Sequence, residues 1–240
     1  MPARRLQDLA TLARAFEPVG GKTVFYGSAA LAIYATSQAA PEIRSNRTVD
    51  CVLGRLALLD QQMPTQSMKQ SAFELKKREG LITHWTYADI PLRLLLCRNA
   101  AFVDQYRWLA EGLDYAESHE IDGQSIRIYS PAYFLAAKME AFDKEGKYDY
   151  RYSEDFEDIL YLLDNRPEIV MEVNAAFYEV RTYIQGQFSL YLADPYLEEG
   201  MYTALPIGTD AAVVGQLMDL MREMVDYQPN LCSRSQSSQS

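Results

Sequence analysis

The spacing of apolar residues divides the chain into a first half of short strand-like segments and a second half of helical periodicity. Short apolar or alternating runs predict strands, and apolar residues that recur every three or four positions predict helices. The strands predicted in the first half are 23–26, 47–53, 72–77, 82–87, 92–97, 115–118 and 126–129. The helices predicted there are 5–16, 29–36, 55–70 and 102–110. We therefore expect an α/β fold with a mixed sheet flanked by helices.

From Ser130 onward the pattern is helical. Ser130 is suited to cap a helix that begins at Pro131, because a proline needs no backbone hydrogen bond at the first helical position. The predicted helices are 131–143, 154–164, 167–191 and 209–227. The sequence thus predicts an α/β core over residues 1–129, a mostly helical C-terminal part over 130–230 and a disordered, Ser/Gln-rich tail over 231–240.

Composition places the chain among ordinary globular proteins. Of its 240 residues, 48% are hydrophobic and 23% are charged, and no apolar run approaches the roughly 20 residues needed to cross a membrane. Its three cysteines are odd in number and widely spaced, which predicts a reducing, cytoplasmic environment. With two histidines in the chain, a histidine-based metal cluster or a Ser-His-Asp triad is not expected.

The net charge of −10 argues against general DNA binding, because contacts to phosphate depend on lysine and arginine. Basic residues are nevertheless concentrated in the first half: Arg44, Arg47, Lys76, Lys77, Arg78, Arg93 and Arg98. A local basic patch in that half is compatible with an acidic chain, and the acidic excess falls mainly after residue 110.

The clearest candidate for chemistry lies between residues 23 and 53. A predicted strand ends in Gly27-Ser28 and a helix follows at once, so that free backbone N–H groups and the positive end of the helix dipole meet at one point. Such a point is suited to binding a phosphate group. The next predicted strand carries Asp50, whose carboxylate could hold a hard cation such as Mg²⁺ beside that phosphate.

Several segments resemble, in order, the motifs of the nucleotidyltransferase superfamily, most closely those of its AbiEii-type, toxin-like branch. They are 27–34 (GSAALAIY), 47–52 (RTVDCV), 90–96 (IPLRLLL), 135–142 (LAAKMEAF) and 155–160 (DFEDIL). The resemblance implies a nucleotidyltransferase-like sheet, a nucleoside triphosphate as ligand and Mg²⁺ as cofactor.

The same resemblance implies roles for individual residues. Asp50 and Lys138 would be catalytic, and Asp50 would also be a metal ligand. The nucleotide-binding residues would be Gly27, Ser28, Arg47, Thr48 and Lys138. Asp155 and Asp158 share one helical face and would support Lys138 and the helical part. Alternatively, Lys138 is a surface lysine that contacts no phosphate.

Two departures from the family pattern predict a degenerate metal site. The positions of the second and third metal carboxylates are occupied by Val52 and Arg93, which offer no oxygen ligand, so Mg²⁺ should bind Asp50 weakly. Arg93 would either form a buried salt bridge with Asp50, with its guanidinium in the space of the metal, or point to solvent from an edge strand. Two further alternatives are that Asp89 replaces a missing carboxylate and that Asp50 pairs with Arg47.

These considerations leave three functions open. The first is a nucleotidyltransferase-fold pseudoenzyme, with lost or weak catalysis, that binds a nucleotide weakly or binds a protein or RNA partner. The second is an active enzyme that moves a nucleoside monophosphate from a triphosphate to a protein or RNA acceptor. The third is an interaction protein that acts through the helices of residues 131–227. The positions of Asp50, Val52 and Arg93 discriminate best between them.

Overall fold

A computed structural model describes residues 2–19, 22–36, 48–54, 63–97, 100–144, 146 and 149–229. Arg47, much of the helix predicted over 55–70 and the predicted tail over 231–240 fall outside these ranges. No helix in the described part of the chain is long and apolar enough to cross a membrane.

The described strands form one mixed sheet. They are β1 (Thr23–Tyr26), β2 (Val49–Leu53), β3 (Glu74–Glu79), β4 (Ile82–Tyr87), β5 (Ile90–Leu96), β6 (Glu117–Ile121) and β7 (Gln124–Ile128). Their order across the sheet is β3-β4-β5-β2-β1-β7-β6. Strand β2 is parallel to β5 and antiparallel to β1, whereas β1 is parallel to β7. The predicted mixed sheet, with β1, β2 and β5 as neighbours, is confirmed.

The helices flank this sheet and make up the C-terminal part. They are α1 (Pro2–Phe16), α2 (Ser28–Tyr34), α3 (Met63–Gln70), α4 (Ala100–Gln105), α5 (Arg107–Gly112), α6 (Pro131–Lys144), α7 (Glu154–Asn165), α8 (Ile169–Ala175), α9 (Tyr178–Ala193), α10 (Leu197–Ala204) and α11 (Ala211–Asp226). Helix α6 begins at Pro131, so the predicted change to helical structure near Ser130 is confirmed.

Two helices predicted as continuous are each broken. The first is divided between α4 and α5 at Tyr106, whose φ and ψ of −132° and 59° are not helical. The second is divided between α8 and α9, where Ala176 and Phe177 have extended ψ values of 165° and 148°. Arg181 donates to the carbonyls of Asn174 and Ala176, which supplies partners for the groups left at the end of α8. Helix α10 was not predicted.

The predicted hairpin at Asp122-Gly123 is confirmed. Both residues have positive φ, 51° and 72°, which a two-residue turn of this kind between antiparallel strands requires. Only Tyr129 and Ser130 separate β7 from α6, so this hairpin also helps to fix where α6 begins.

One hydrophobic core joins the sheet to the helical part, and α2 is held at their junction. The rings of Tyr34 and Phe134 are 4.8 Å apart, and the Tyr34 hydroxyl donates to the Tyr129 carbonyl at 2.6 Å. On the other side, Arg166 donates to the Tyr34 carbonyl at 2.9 Å while two of its nitrogens bind the carboxylate of Glu172. The position of α2 is therefore set from two directions.

Candidate functional site

A cleft of about 540 Å³ lies between the sheet and the helices that follow it. This volume is within the range of small-molecule sites, roughly 300–1,000 Å³. Among the residues predicted from sequence, Ser28, Asp50, Arg93 and Lys138 line it. Thr48 directly precedes β2 and is not among the described lining residues. The structure thus brings Ser28, Asp50 and Lys138 to one cleft together with Arg93.

Asp50 and Arg93 form a salt bridge, which was one of the two alternatives left open by the sequence. They face each other across the parallel pairing of β2 and β5, and Nε of Arg93 donates to Oδ1 of Asp50 at 2.6 Å. Strand β5 is bonded to β4 on its other side. The alternative that Arg93 points away from an edge strand is therefore wrong.

The two partners are buried to different extents. The Asp50 side chain is 6% exposed and that of Arg93 is 40% exposed. The expectation of a fully buried pair is thus wrong for the arginine, because the cleft opens on its outer side. Within the described residues, the terminal guanidinium nitrogens of Arg93 have no hydrogen-bond partner. These donors are available to whatever occupies the cleft.

The charge of Asp50 depends on this arginine. Burial raises the pKa of the Asp50 carboxyl, and the positive charge of Arg93 opposes the rise. Burial by itself would lower the pKa of Arg93, but the charge of Asp50, its hydrogen bond and the nearby Tyr26 and Asp155 together raise it. Arg93 therefore remains charged, and its charge offsets much of the desolvation of the carboxylate.

The other positions expected for metal ligands offer no oxygen. Val52 lies on the same face of β2 as Asp50, because alternate strand residues share a face, and it is fully buried opposite Leu95. Asp89 lies in the exposed turn between β4 and β5 and does not line the cleft, so its proposed replacement of a carboxylate is wrong. Among the described residues, no group of three or more His, Cys, Asp or Glu could hold a metal ion.

Gly27 allows the chain to pass directly over Asp50. Its φ and ψ of 76° and −168° lie in a region that is open essentially to glycine alone. A Cβ at this position would overlap Oδ2 of Asp50 and lie 3.2 Å from its Cγ. The second carboxylate oxygen is thus packed against the Gly27 backbone.

Ser28 begins α2 directly after this glycine. Its side chain is buried, and its hydroxyl has no hydrogen-bond partner among the described residues. A buried hydroxyl without a partner costs about 1–3 kcal/mol. The predicted nucleotide-binding roles of Gly27 and Ser28 remain predictions.

Lys138 is held by two carboxylates. Its Nζ lies 2.7 Å from Oδ1 of Asp155 and 2.7 Å from Oδ2 of Asp158, and its side chain is 10% exposed. Burial by itself would lower the pKa of Lys138, but the charges of Asp158 and Asp155 outweigh it and raise the pKa. The predicted support of Lys138 by the acidic pair is confirmed, and the surface-lysine alternative is wrong.

One wall of the cleft was missed by the sequence reasoning. Ala137, Glu140, Ala141 and Lys144 recur at helical spacing along α6 and all line the cleft. This spacing was a detectable signal for one helical face. Tyr106 also lines the cleft, but it does so from the helix break described above, for which the sequence gives no signal.

The described lining carries an excess of negative charge. Its carboxylates are Asp50, Glu140, Glu154, Asp155 and Asp158, and its cations are Arg93, Lys138 and Lys144. Two of the cations have two acceptors each: Lys138 contacts two carboxylates, and Lys144 donates to Glu140 and to the Gln105 carbonyl. Arg93 therefore has the most unused donors among these cations.

Comparison with known proteins gives weak likeness among solved structures. No family model matches the chain, and no curated protein matches it. The chain is similar to a solved structure described as an antigenic nucleotidyltransferase-like protein from Paracoccidioides brasiliensis, with 17% identity and a TM-score of 0.48. The match covers 87% of this chain and 95% of that one. What the cleft does is inferred below from this chain's own residues.

We expect Gly27→Ala to destabilise the protein more than Gly80→Ala. Gly80 also has positive φ, 59°, but its added Cβ would meet open space, so it reports backbone strain alone, about 1–2 kcal/mol. Gly27→Ala adds the overlap with Asp50. Urea unfolding of both variants measures the difference, and equal losses would show that the Asp50 carboxylate does not pack on Gly27.

We expect Arg93→Met to cost more stability than Asp50→Asn. The first variant leaves a buried carboxylate without its partner and should cost about 3 kcal/mol. The second leaves an arginine that still reaches water, so its cost should be smaller. The double variant should lose less than the sum of the two, as unfolding of all four proteins in denaturant would measure. Additive losses would mean that the two side chains do not interact.

The loss of stability caused by Arg93→Met should also become smaller as the pH is lowered from 7. Without the arginine, the pKa of Asp50 in the folded protein rises further above its pKa in the unfolded chain. At pH values between these two pKa values, the folded protein binds a proton that the unfolded chain does not. The variant then gains stability relative to the parent as the pH falls through the raised pKa. Arg222→Met, which breaks an exposed pair with Asp219, is the control. A loss independent of pH would show that Asp50 carries no unpaired charge in Arg93→Met.

Proposed function

We propose that this protein is a nucleotidyltransferase-like pseudoenzyme whose cleft binds a ligand but does not support efficient metal-dependent transfer. The observation that carries the proposal is the 2.6 Å bond from Nε of Arg93 to Oδ1 of Asp50. The order of the sequence motifs supports the superfamily, and the mixed sheet with a helical C-terminal part agrees with it.

The described residues do not fit Mg²⁺. Oδ1 of Asp50 accepts a hydrogen bond from Arg93, and Oδ2 is packed against Gly27. Val52 offers no ligand, while Asp155 and Asp158 are engaged by Lys138. Hard cations need several oxygen ligands, and transfer through two metals needs carboxylates that are shared between them. A fixed guanidinium here occupies the place where such a cation would be needed.

Binding is the function that the cleft supports better. Its volume is that of a small-molecule site, and Ser28 contributes a buried hydroxyl that lacks a partner in the described part of the chain. Lys138 is 10% exposed and already contacts two carboxylates, so it has little to offer a phosphate. We therefore assign it to holding α6 and α7 together at the cleft rather than to chemistry.

A second candidate function is an interaction through the helical part. Phe177 and Tyr178, at the start of α9, are 56% and 66% exposed. The ring of Tyr115 lies 4.6 Å from that of Phe177, so these aromatic residues belong to one surface. Exposed groups of large apolar side chains are typical of interaction sites.

We expect neither tight Mg²⁺ binding nor transfer of label from any nucleoside triphosphate to protein or RNA. Calorimetry with Mg²⁺ in the presence of each triphosphate, together with a radiolabel transfer assay, tests this directly. Asp50→Ala is the matched variant for the transfer assay. Robust labelling by the parent protein that disappears in Asp50→Ala would overturn the proposal, because Asp50 would then be a working metal ligand.

A further inference from the structure

We propose that Arg93 takes over the role of the metal and binds the phosphate of a nucleoside monophosphate without a divalent cation. This inference rests on the proposed function, since it requires a cleft that binds a nucleotide. It goes further in naming the residue that anchors the ligand and the number of phosphates that the site accepts.

The geometry of Arg93 is suited to an anion. A guanidinium carries five N–H donors in a planar fork, and Asp50 uses the donor on Nε. The side chain is 40% exposed and lines the cleft. Because the buried carboxylate fixes its orientation, the remaining donors lose little freedom when a phosphate binds.

The other cations of the described lining are less available. Lys138 lies between Asp155 and Asp158, and Lys144 is bonded to Glu140. Each lysine has two of its three donors engaged and so offers a ligand one at most. Arg93 can bind a phosphate and keep its bond to Asp50.

The charge of the cleft favours a single phosphate. Arg93 can donate to one phosphate monoester, which carries about −1.5 to −2 at neutral pH, through the N–H groups that Asp50 does not use. A triphosphate adds further negative charge beside Glu154 and Asp155, which line the same cleft. Without a divalent cation, that excess is repelled.

The remaining lining is suited to a nucleoside. Ile82, Leu95 and Leu109 provide apolar surface, and Tyr106 adds an aromatic ring. Bases and sugars bind such surfaces through stacking and burial of apolar area. The cleft therefore combines one anion-binding group with some apolar and aromatic surface.

The test is calorimetry in EDTA with AMP, GMP, CMP and UMP, each compared with its triphosphate. We expect at least one monophosphate to bind, and to bind more tightly than its triphosphate. Arg93→Lys keeps the charge and the ion pair with Asp50 but loses the fork, so it should weaken binding at least tenfold. Arg222→Lys, in the exposed pair with Asp219, should leave binding unchanged.

A second variant controls for the possibility that binding is lost because the protein unfolds. Asp50→Asn combined with Arg93→Met removes the buried charge together with its partner, and it should fold without binding the monophosphate. Absence of binding by every monophosphate, tighter binding of a triphosphate, or unchanged binding in both variants would overturn the inference. None of these results overturns the pseudoenzyme proposal, which fails only if magnesium-dependent transfer of label is observed.

Discussion

The carboxylate of Asp50, buried on the central strand β2, has to be compensated by a positive charge if the sheet is to form around it. The parallel pairing of β2 with β5 places Arg93 opposite it, and the glycine at position 27 leaves room for its second oxygen. Asp50 and Arg93 also line the cleft, and Gly27 directly precedes Ser28, which lines it as well. The stability of the sheet and the shape of the site therefore both depend on how the charge of Asp50 is compensated.

A second group of paired charges holds the helical wall of the cleft, and here the buried member is a cation. There a nearly buried cation, Lys138, lies between two carboxylates, whereas in the sheet a buried anion meets a half-exposed cation. Among the described residues of the cleft, the three cations are thus all paired with carboxylates, and most of the unused donors belong to Arg93. This internal pairing is the main difference from a site built to gather cations around phosphates.

The sequence raised the Asp50–Arg93 pair as one of two alternatives, because both residues lie on strands whose motif order implies that they are neighbours; it could not decide whether β5 is an edge strand. It could not show that Arg93 is half exposed, since that depends on how far α6 and α7 stand from the sheet. Nor could it show the break between α8 and α9. The helical period runs across Ala176 without a glycine or proline, and the break is completed by Arg181 from the following helix.

The pairing across β2 and β5 also restricts how this site could change over evolutionary time. Replacing Arg93 by an acid would set two carboxylates side by side with no cation between them. Replacing Val52 by an acid would bury a second negative charge beside Leu95 in a fully buried position. Either step alone passes through a less stable protein, and only both together would supply ligands for a metal. The salt bridge therefore makes a metal site difficult to reach through single substitutions, because each intermediate protein would be less stable.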